Sequence, residues 1–411
     1  MDSRQRVLDA LEHRKPDRVP VDFGGHRSSA INGMAYARLK KALGIDTGHV
    51  YMYDMVQQLA IVEPDVLDAL GVDTIELGRA FMIDASQWKD WELPDGTPCK
   101  IPGFINLEKE GGHWYMLADD GRRLGLQKEG SVFFEQTWFP LMERGIEGDD
   151  FSDIEVHLSD TMWTGVPAVG GHIPLNEEGM AELAKGAKAL RESTDRAIIG
   201  LFGGNMFEVP QWLYRMDNYF MYMALYPDDI VRLSEKLCDI YIKNLEKWLG
   251  AVGEYIDVIL LGDDLGGKNG PLLSTDMYRL YYKPYHKNLA HRAKELADVK
   301  VMIHTCGGME PLIEDLIEAG IDAINPVQIS CRGMDPKELK AKYGDRMCFW
   351  GGGCDTGEVL PKATPEEVEE HVKELVKVLG PGGGFVFQQV HNIMSEVPPE
   401  NIIAMFRAVN P

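Results

Sequence analysis

The sequence predicts an α/β fold, a (β/α)8 TIM barrel carrying an antiparallel β insertion. Three observations predict it. From residue 177 onward, helical stretches alternate with short apolar runs in six successive helix-then-strand units, the pattern of a parallel sheet. These runs end in glycine-rich loops, which suits a closed barrel better than a doubly wound open sheet. Over about 88–139 the rhythm breaks, and hairpin signals replace it.

The elements follow in order. Residues 3–13 read as a short helix, with Ser3 as N-cap, Val7, Leu8 and Leu11 as its apolar stripe, and Pro16 as its stop. Residues 18–23 read as a first strand that ends in Gly24-Gly25-His26-Arg27. Residues 34–43 and much of 51–70 read as helical, and 74–77 as a short strand. In the insertion, Asp95-Gly96 and Asp120-Gly121 are turn signals flanked by strand formers. Residues 114–117 and 124–126 are expected to pair across the second turn. Helices over 177–193, 228–249, 275–296, 309–319, 336–343 and 365–379 precede strands over 197–202, 258–261, 300–303, 322–325, 347–350 and 384–387. No linker of low complexity divides the chain, so one domain over 1–411 is expected, with the insertion inside it.

Composition narrows the function. A net charge of −23 disfavours nucleic acid and anionic membranes as partners. There is no apolar run of ~18 residues to span a bilayer, and residues 1–6 lack the apolar stretch of a secretory signal. The expected compartment is the cytoplasm. Four of the six cysteines fall between residues 306 and 354. In a large cytoplasmic chain such clustering points to thiolate chemistry and away from a disulfide framework.

In a parallel barrel the active site gathers at the C-terminal ends of the strands. The predicted strand ends carry Asp22, His26 and Arg27; Gly203-Gly204-Asn205; Asp263-Asp264; His304-Thr305-Cys306; Gln328 and Cys331; Cys354-Asp355; and Gln388 to Asn392. His304 and Cys306 stand two residues apart just past a strand, so both can turn toward one cation. Cys354 and His391 follow later strand ends that the barrel can bring near them. Imidazole with thiolate favours zinc, four-coordinate and with one position open when catalytic. The candidate metal ligands are thus His304, Cys306, His391 and Cys354, and Gln328 is a candidate for the fourth position. Cys348, inside a strand, reads as core; Cys99 and Cys238 read as packing residues; Cys331 ranks behind Cys354. His391 has a second reading, as a hydrogen-bonding group for substrate. Asp263-Asp264 read either as caps or as partners that orient a histidine ring. Gly380 to Gly384 precedes a strand and reads as a tight turn, not a phosphate loop.

These residues carry a family resemblance. Arg14-Lys15-Pro16-Asp17-Arg18-Val19-Pro20 resembles the opening of the uroporphyrinogen decarboxylase superfamily. So do Gly262-Asp263-Asp264-Leu265-Gly266, His304-Thr305-Cys306-Gly307, Gly351 to Thr356, and the closing His391-Asn392-Ile393 through Pro398 to Ile402. The resemblance spans nearly the whole chain, the insertion least. Within the superfamily the decarboxylases carry an arginine-rich segment soon after the opening, where residues 21–29 here hold one arginine. The chain is more similar to the corrinoid methyltransferase branch, whose zinc site is His-x-Cys plus a later Cys. His304 and Cys306 match the first two positions. The third falls on His391, with Cys354 as its rival.

The resemblance therefore implies an enzyme, a zinc-dependent methyltransferase. It would move a methyl group from a small methylated donor, a methoxylated aromatic ahead of methylamines, methanol or a methyl thiol, to the Co(I) corrinoid (cobalamin type) of a separate corrinoid protein. Asp264 and His391 are the expected catalytic groups, and His26, Arg27, Asp263 and Gln328 the expected substrate contacts. Trp114, Tyr115, Phe133, Phe134, Trp138 and Phe139 of the insertion are expected to line the donor pocket. The alternative is a metal-free decarboxylase or lyase using Asp263, Asp264 or His391 for acid–base work. A homodimer is compatible with either reading.

Overall fold

The computed structural model describes residues 1–409. Seven strands lie side by side in one parallel sheet and in chain order: Thr74–Glu76, Ala197–Gly203, Val258–Gly262, Lys300–His304, Ala323–Asn325, Cys348–Trp350 and Phe385–Val386. The stretch around Val21 closes the ring. Val21 bridges Phe387 in parallel, and its carbonyl accepts from the Asp73 N–H at 2.7 Å. The architecture is the eight-stave barrel that the helix–strand alternation predicts.

Strand side chains alternate between two clusters, as a period of two requires. Ala197, Ile199, Val258, Leu260, Met302, Ala323, Cys348, Trp350 and Val386 fill the barrel interior. The intervening Ile198, Ile259, Leu261, Val301, Ile303, Ile324, Phe349 and Phe385 face the surrounding helices. Both faces are buried, so the strands read as continuous apolar runs. The helix Ser3–Leu11 sends Val7, Ala10 and Leu11 into the interior cluster and plugs the N-terminal end of the barrel. Arg6 and Arg18 pin that end by converging on the buried carboxylate of Asp73, at 2.6 and 2.7 Å. Substrate access is left to the opposite, C-terminal mouth.

Three local expectations are corrected. The first helix is capped by Asp2, which accepts from the Gln5 N–H, while Ser3 donates to Asp73. Residues 51–70 are not mainly helical. Met52–Asp54 and Leu59–Ala60 join Ile31–Asn32 in a small antiparallel sheet, and helix begins only at Pro64. The local apolar spacing admits either period, and sheet pairing decides it. The expected helix over 275–296 is two, Thr275–Tyr281 and Lys283–Leu296. Pro284 lacks an N–H for the earlier turn and restarts the helix instead.

The insertion is antiparallel β. Trp88–Glu92 pairs with Pro98–Pro102, and a four-stranded sheet follows. Across the second turn Tyr115 faces Leu126 and Met116 faces Gly125, the pairing expected. No helix among the described residues is long and apolar enough to cross a membrane.

Candidate active site

The strand Lys300–His304 delivers His304 to the barrel mouth between Gly262 and Asn325 on its two neighbours. The chain then turns sharply. Gly307 has φ +92°, and a Cβ there would meet the Gly266 backbone at 2.2 Å, so only glycine passes. The turn is held by Asp264, whose Oδ1 accepts from the Cys306 N–H at 2.8 Å. Cys306 Sγ thereby comes to 3.4 Å from His304 Nε2.

His391 arrives from the loop after Phe385–Val386, its ring centroid 5.9 Å from that of His304. The ligand atoms of His304, Cys306 and His391 lie within 4.8 Å of one another. Hydrogen bonds dictate both tautomers. Asn325 Nδ2 donates to the Trp350 carbonyl and to Gln388, so its Oδ1 accepts from His304 Nδ1 at 3.0 Å. Asn392 Nδ2 donates to Gln57, so its Oδ1 accepts from His391 Nδ1 at 2.9 Å. Both Nε2 atoms therefore carry a lone pair, that of His304 turned toward the Cys306 thiol. Burial lowers the pKa of both rings, that of His391 to about 4, so each is neutral at pH 7. Burial, with Asp264 beside it, raises the Cys306 thiol well above its ordinary range. A cation among these atoms would reverse that. Two neutral imidazoles and a thiol are the donor set of a zinc site with one position open, and the residues fit the metal.

The remaining expected site residues divide. His26 and Arg27 line the same cavity as His304, His391 and Asp264. His26 Nε2 lies 3.2 Å from Asp22, and Arg27 pairs with Asp54 at 2.5 Å. Asp264 is part-exposed into the cavity and 3.5 Å from His304 Nε2. Asp263 is not at the surface of the cavity. It is wholly buried, accepting from the N–H groups of Met206, Phe207 and Glu208 and meeting His286 Nε2 at 2.9 Å. It caps the start of the helix Glu208–Tyr214, so it has no face for substrate.

Cys354 is not in the metal cluster. Its carbonyl holds the Val390 N–H at 2.8 Å, and its side chain is buried in the apolar core. Gln328 also lies apart, accepting from the Gly307 N–H and lining a second, smaller cavity with Lys268 and Cys331.

The main cavity measures about 710 Å³. Its aromatic walls are Trp163, Trp212, Phe202, Tyr241, Trp248 and Phe81, and none of the six expected insertion aromatics lines it. Those serve the insertion itself. Trp114 packs edge-on against Trp91, Arg123 covers Tyr115, Arg122 covers Trp138, and Phe134 is core. Two carboxyls escaped the sequence reading. Glu208 follows the Gly203-Gly204-Asn205 strand end and accepts from Asn205 Nδ2 at 2.6 Å. Burial, then the charge of Asp264, raises its pKa well above the carboxylate range. Glu76 ends the strand Thr74–Glu76 and is raised by burial to about 7. Their position at strand ends was the available signal.

A family model for uroporphyrinogen decarboxylase (URO-D) matches residues 171–411, more than half of the chain, including Glu208, Asp264, His304, Cys306 and His391, while His26, Arg27, Glu76, Phe81 and Trp163 precede the match. The chain belongs to the uroporphyrinogen decarboxylase family. Its similarity to curated URO-D proteins is partial. It is 27% identical to uroporphyrinogen decarboxylase of Alkalilimnicola ehrlichii over 45% of this chain and 47% of that one. It is 28% identical to the Saccharophagus degradans protein over 45% and 49%. The match thus spans about half the length of these relatives. Among solved structures, a methyltransferase from Methanosarcina mazei superimposes with a TM-score of 0.60, covering 100% of this chain and 98% of that one at 17% identity. This is a likeness of fold.

Proposed function

We propose that this URO-D family member is a zinc-dependent methyltransferase. It takes the methyl group of a small methylated donor, a methoxylated aromatic, and passes it to the Co(I) corrinoid of a separate corrinoid protein. The observation that carries the reading is the convergence of His304, Cys306 and His391, whose two imidazoles line the wall of a cavity sized for a small aromatic molecule. The fold likeness to a protein described as a methyltransferase is in keeping with it.

His304, Cys306 and His391 would hold the metal. Zinc, when bound, supplies Lewis-acid polarisation of the donor oxygen. The chain's own groups do the rest. Asn325 and Asn392 keep the two imidazoles in the ligating tautomer and orientation. Asp264 fixes the Cys306 backbone. Trp163, Trp212 and Phe202 give the donor an apolar bed and exclude water. Glu208, whose pKa is raised by burial and by Asp264, would supply the proton to the departing oxygen, while Asn205 orients its carboxyl through Oε2. The open mouth admits the corrinoid of the partner.

A porphyrinogen decarboxylase would need cations for several carboxylates. The residues lining the cavity supply Arg27, already paired with Asp54, against the carboxyls of Glu76, Glu208 and Asp264. The decisive experiment combines metal analysis with a methyl-transfer assay on a reduced corrinoid protein. About one zinc per chain and demethylation of methoxyarenes, both lost in Cys306→Ala, are expected. Zinc-free wild type that releases carbon dioxide from a carboxylated substrate would overturn the proposal.

A further inference from the structure

The metal cluster is tied to an amide on the cavity wall through two hydrogen bonds. His391 Nδ1 meets Asn392 Oδ1 at 2.9 Å, and Asn392 Nδ2 meets Gln57 Oε1 at 2.9 Å. Asn392 is buried, whereas His391 and Gln57 both line the cavity. Gln57 reaches this place from the turn after the strand Met52–Asp54. Asp54 Oδ1 accepts from the Gln57 N–H at 2.8 Å, while its Oδ2 pairs with Arg27. The next residue, Gln58, has a left-handed φ of +53°. That conformation costs an L-residue energy, and it marks a turn kept for its geometry.

The polarity of this chain of amides is not free. A metal on His391 Nε2 leaves the ring proton on Nδ1, so Asn392 must offer its oxygen there. Its amide nitrogen then donates, and Gln57 must receive it on Oε1. The remaining end of the Gln57 amide is Nε2, a donor. It makes no hydrogen bond among the described residues, and unlike the amide of Gln58 it is not sealed from solvent. A half-buried side chain that lines a cavity and keeps its open donor unpaired is placed to meet an acceptor on a ligand.

We infer that Gln57 is a specificity-determining residue whose Nε2–H donates to an acceptor oxygen on the ring of the methyl donor. This rests on the methyltransferase reading for the identity of the donor. It narrows the class to methoxyarenes that carry a second oxygen acceptor, such as a carbonyl group. An alkyl group in the same place would strip water from the amide and leave it unpaired.

The test is equilibrium binding to the full-length, zinc-loaded protein, read by calorimetry and requiring no turnover. It is run at about pH 8, where a glutamate carboxyl is ionised. The probes are 3- and 4-methoxyacetophenone, each against its isostere with isopropyl in place of acetyl. The proteins are wild type, Gln57→Glu and Gln57→Leu, with zinc affinity measured for each. Gln57→Glu keeps the length and the oxygen that Asn392 requires, but it turns a carboxylate oxygen to the cavity. It should lose the wild-type preference for acetyl over isopropyl by about tenfold, for at least one isomer, and retain zinc. Gln57→Leu should lose the preference and, by releasing Asn392, weaken zinc binding as well. A preference that survives in Gln57→Glu overturns the subsite. So does an equal loss of zinc in both variants, which would make Gln57 only a support of the metal. Failure of wild type to bind any probe overturns both the subsite and the aromatic donor. The expected preference without methyl transfer to a reduced corrinoid protein would instead sink the methyltransferase reading and leave the subsite standing.

Discussion

His304 Nδ1 meets Asn325 Oδ1 at 3.0 Å, and this one bond determines which ring nitrogen of His304 faces Cys306. Asn325 is wholly buried and its oxygen also accepts from Ser28 Oγ at 2.7 Å, so it cannot turn without breaking four contacts. Asn325→Ala is expected to weaken zinc binding by about 10- to 100-fold, measured by competition with a chelator. Unchanged affinity would show that the ring is oriented without it.

The two rival third ligands are separable. His391→Ala should abolish tight zinc binding, whereas Cys354→Ala should retain about one zinc per chain and lose instead some thermal stability, from a small core cavity. Loss of zinc in Cys354→Ala alone would reverse the assignment.

Asp263 is expected to be structural. Asp263→Ala strands three N–H groups and His286, and should cost roughly 3 kcal/mol or more of stability in chemical denaturation. Its folded fraction should still bind zinc. A stable variant with selectively lost donor binding would return Asp263 to the substrate-contact role.

Glu76 should make stability depend on pH. Burial raises its folded pKa to about 7 from an ordinary 4.5. Between those values the folded chain keeps a proton that the unfolded chain releases. Its contribution is therefore complete below pH 4.5 and declines as pH rises through 7, by on the order of 3 kcal/mol. Glu76→Gln removes the term, so its thermal midpoint should exceed that of wild type at pH 8 and match it at pH 4.5. Equal differences at both values would refute the burial-raised carboxyl.

Trp163 forms part of the apolar bed and stacks on Trp212 at 6.0 Å. Trp163→Ala should raise KM for a methoxyarene about tenfold with little change in kcat, because the wall contacts the donor equally before and during transfer. A loss confined to kcat would place Trp163 in the chemistry instead.

The sequence by itself determined the barrel, because strands buried on both faces and helices buried on one write their periods into the chain. It also brought His304 and Cys306 together, because only two residues of backbone past a strand end separate them. It carried little about partners far apart in the chain. His391 over Cys354, the withdrawal of Asp263 and Gln328, and the exchange of insertion aromatics for Trp163, Trp212 and Phe202 were tertiary decisions. Each depends on which way a loop turns its side chains once the ring has closed. For Cys354 that direction is set by its carbonyl bond to Val390, and for Asp263 by the three N–H groups it caps. Local spacing encodes the staves of the barrel, while long-range hydrogen bonds choose what faces its mouth.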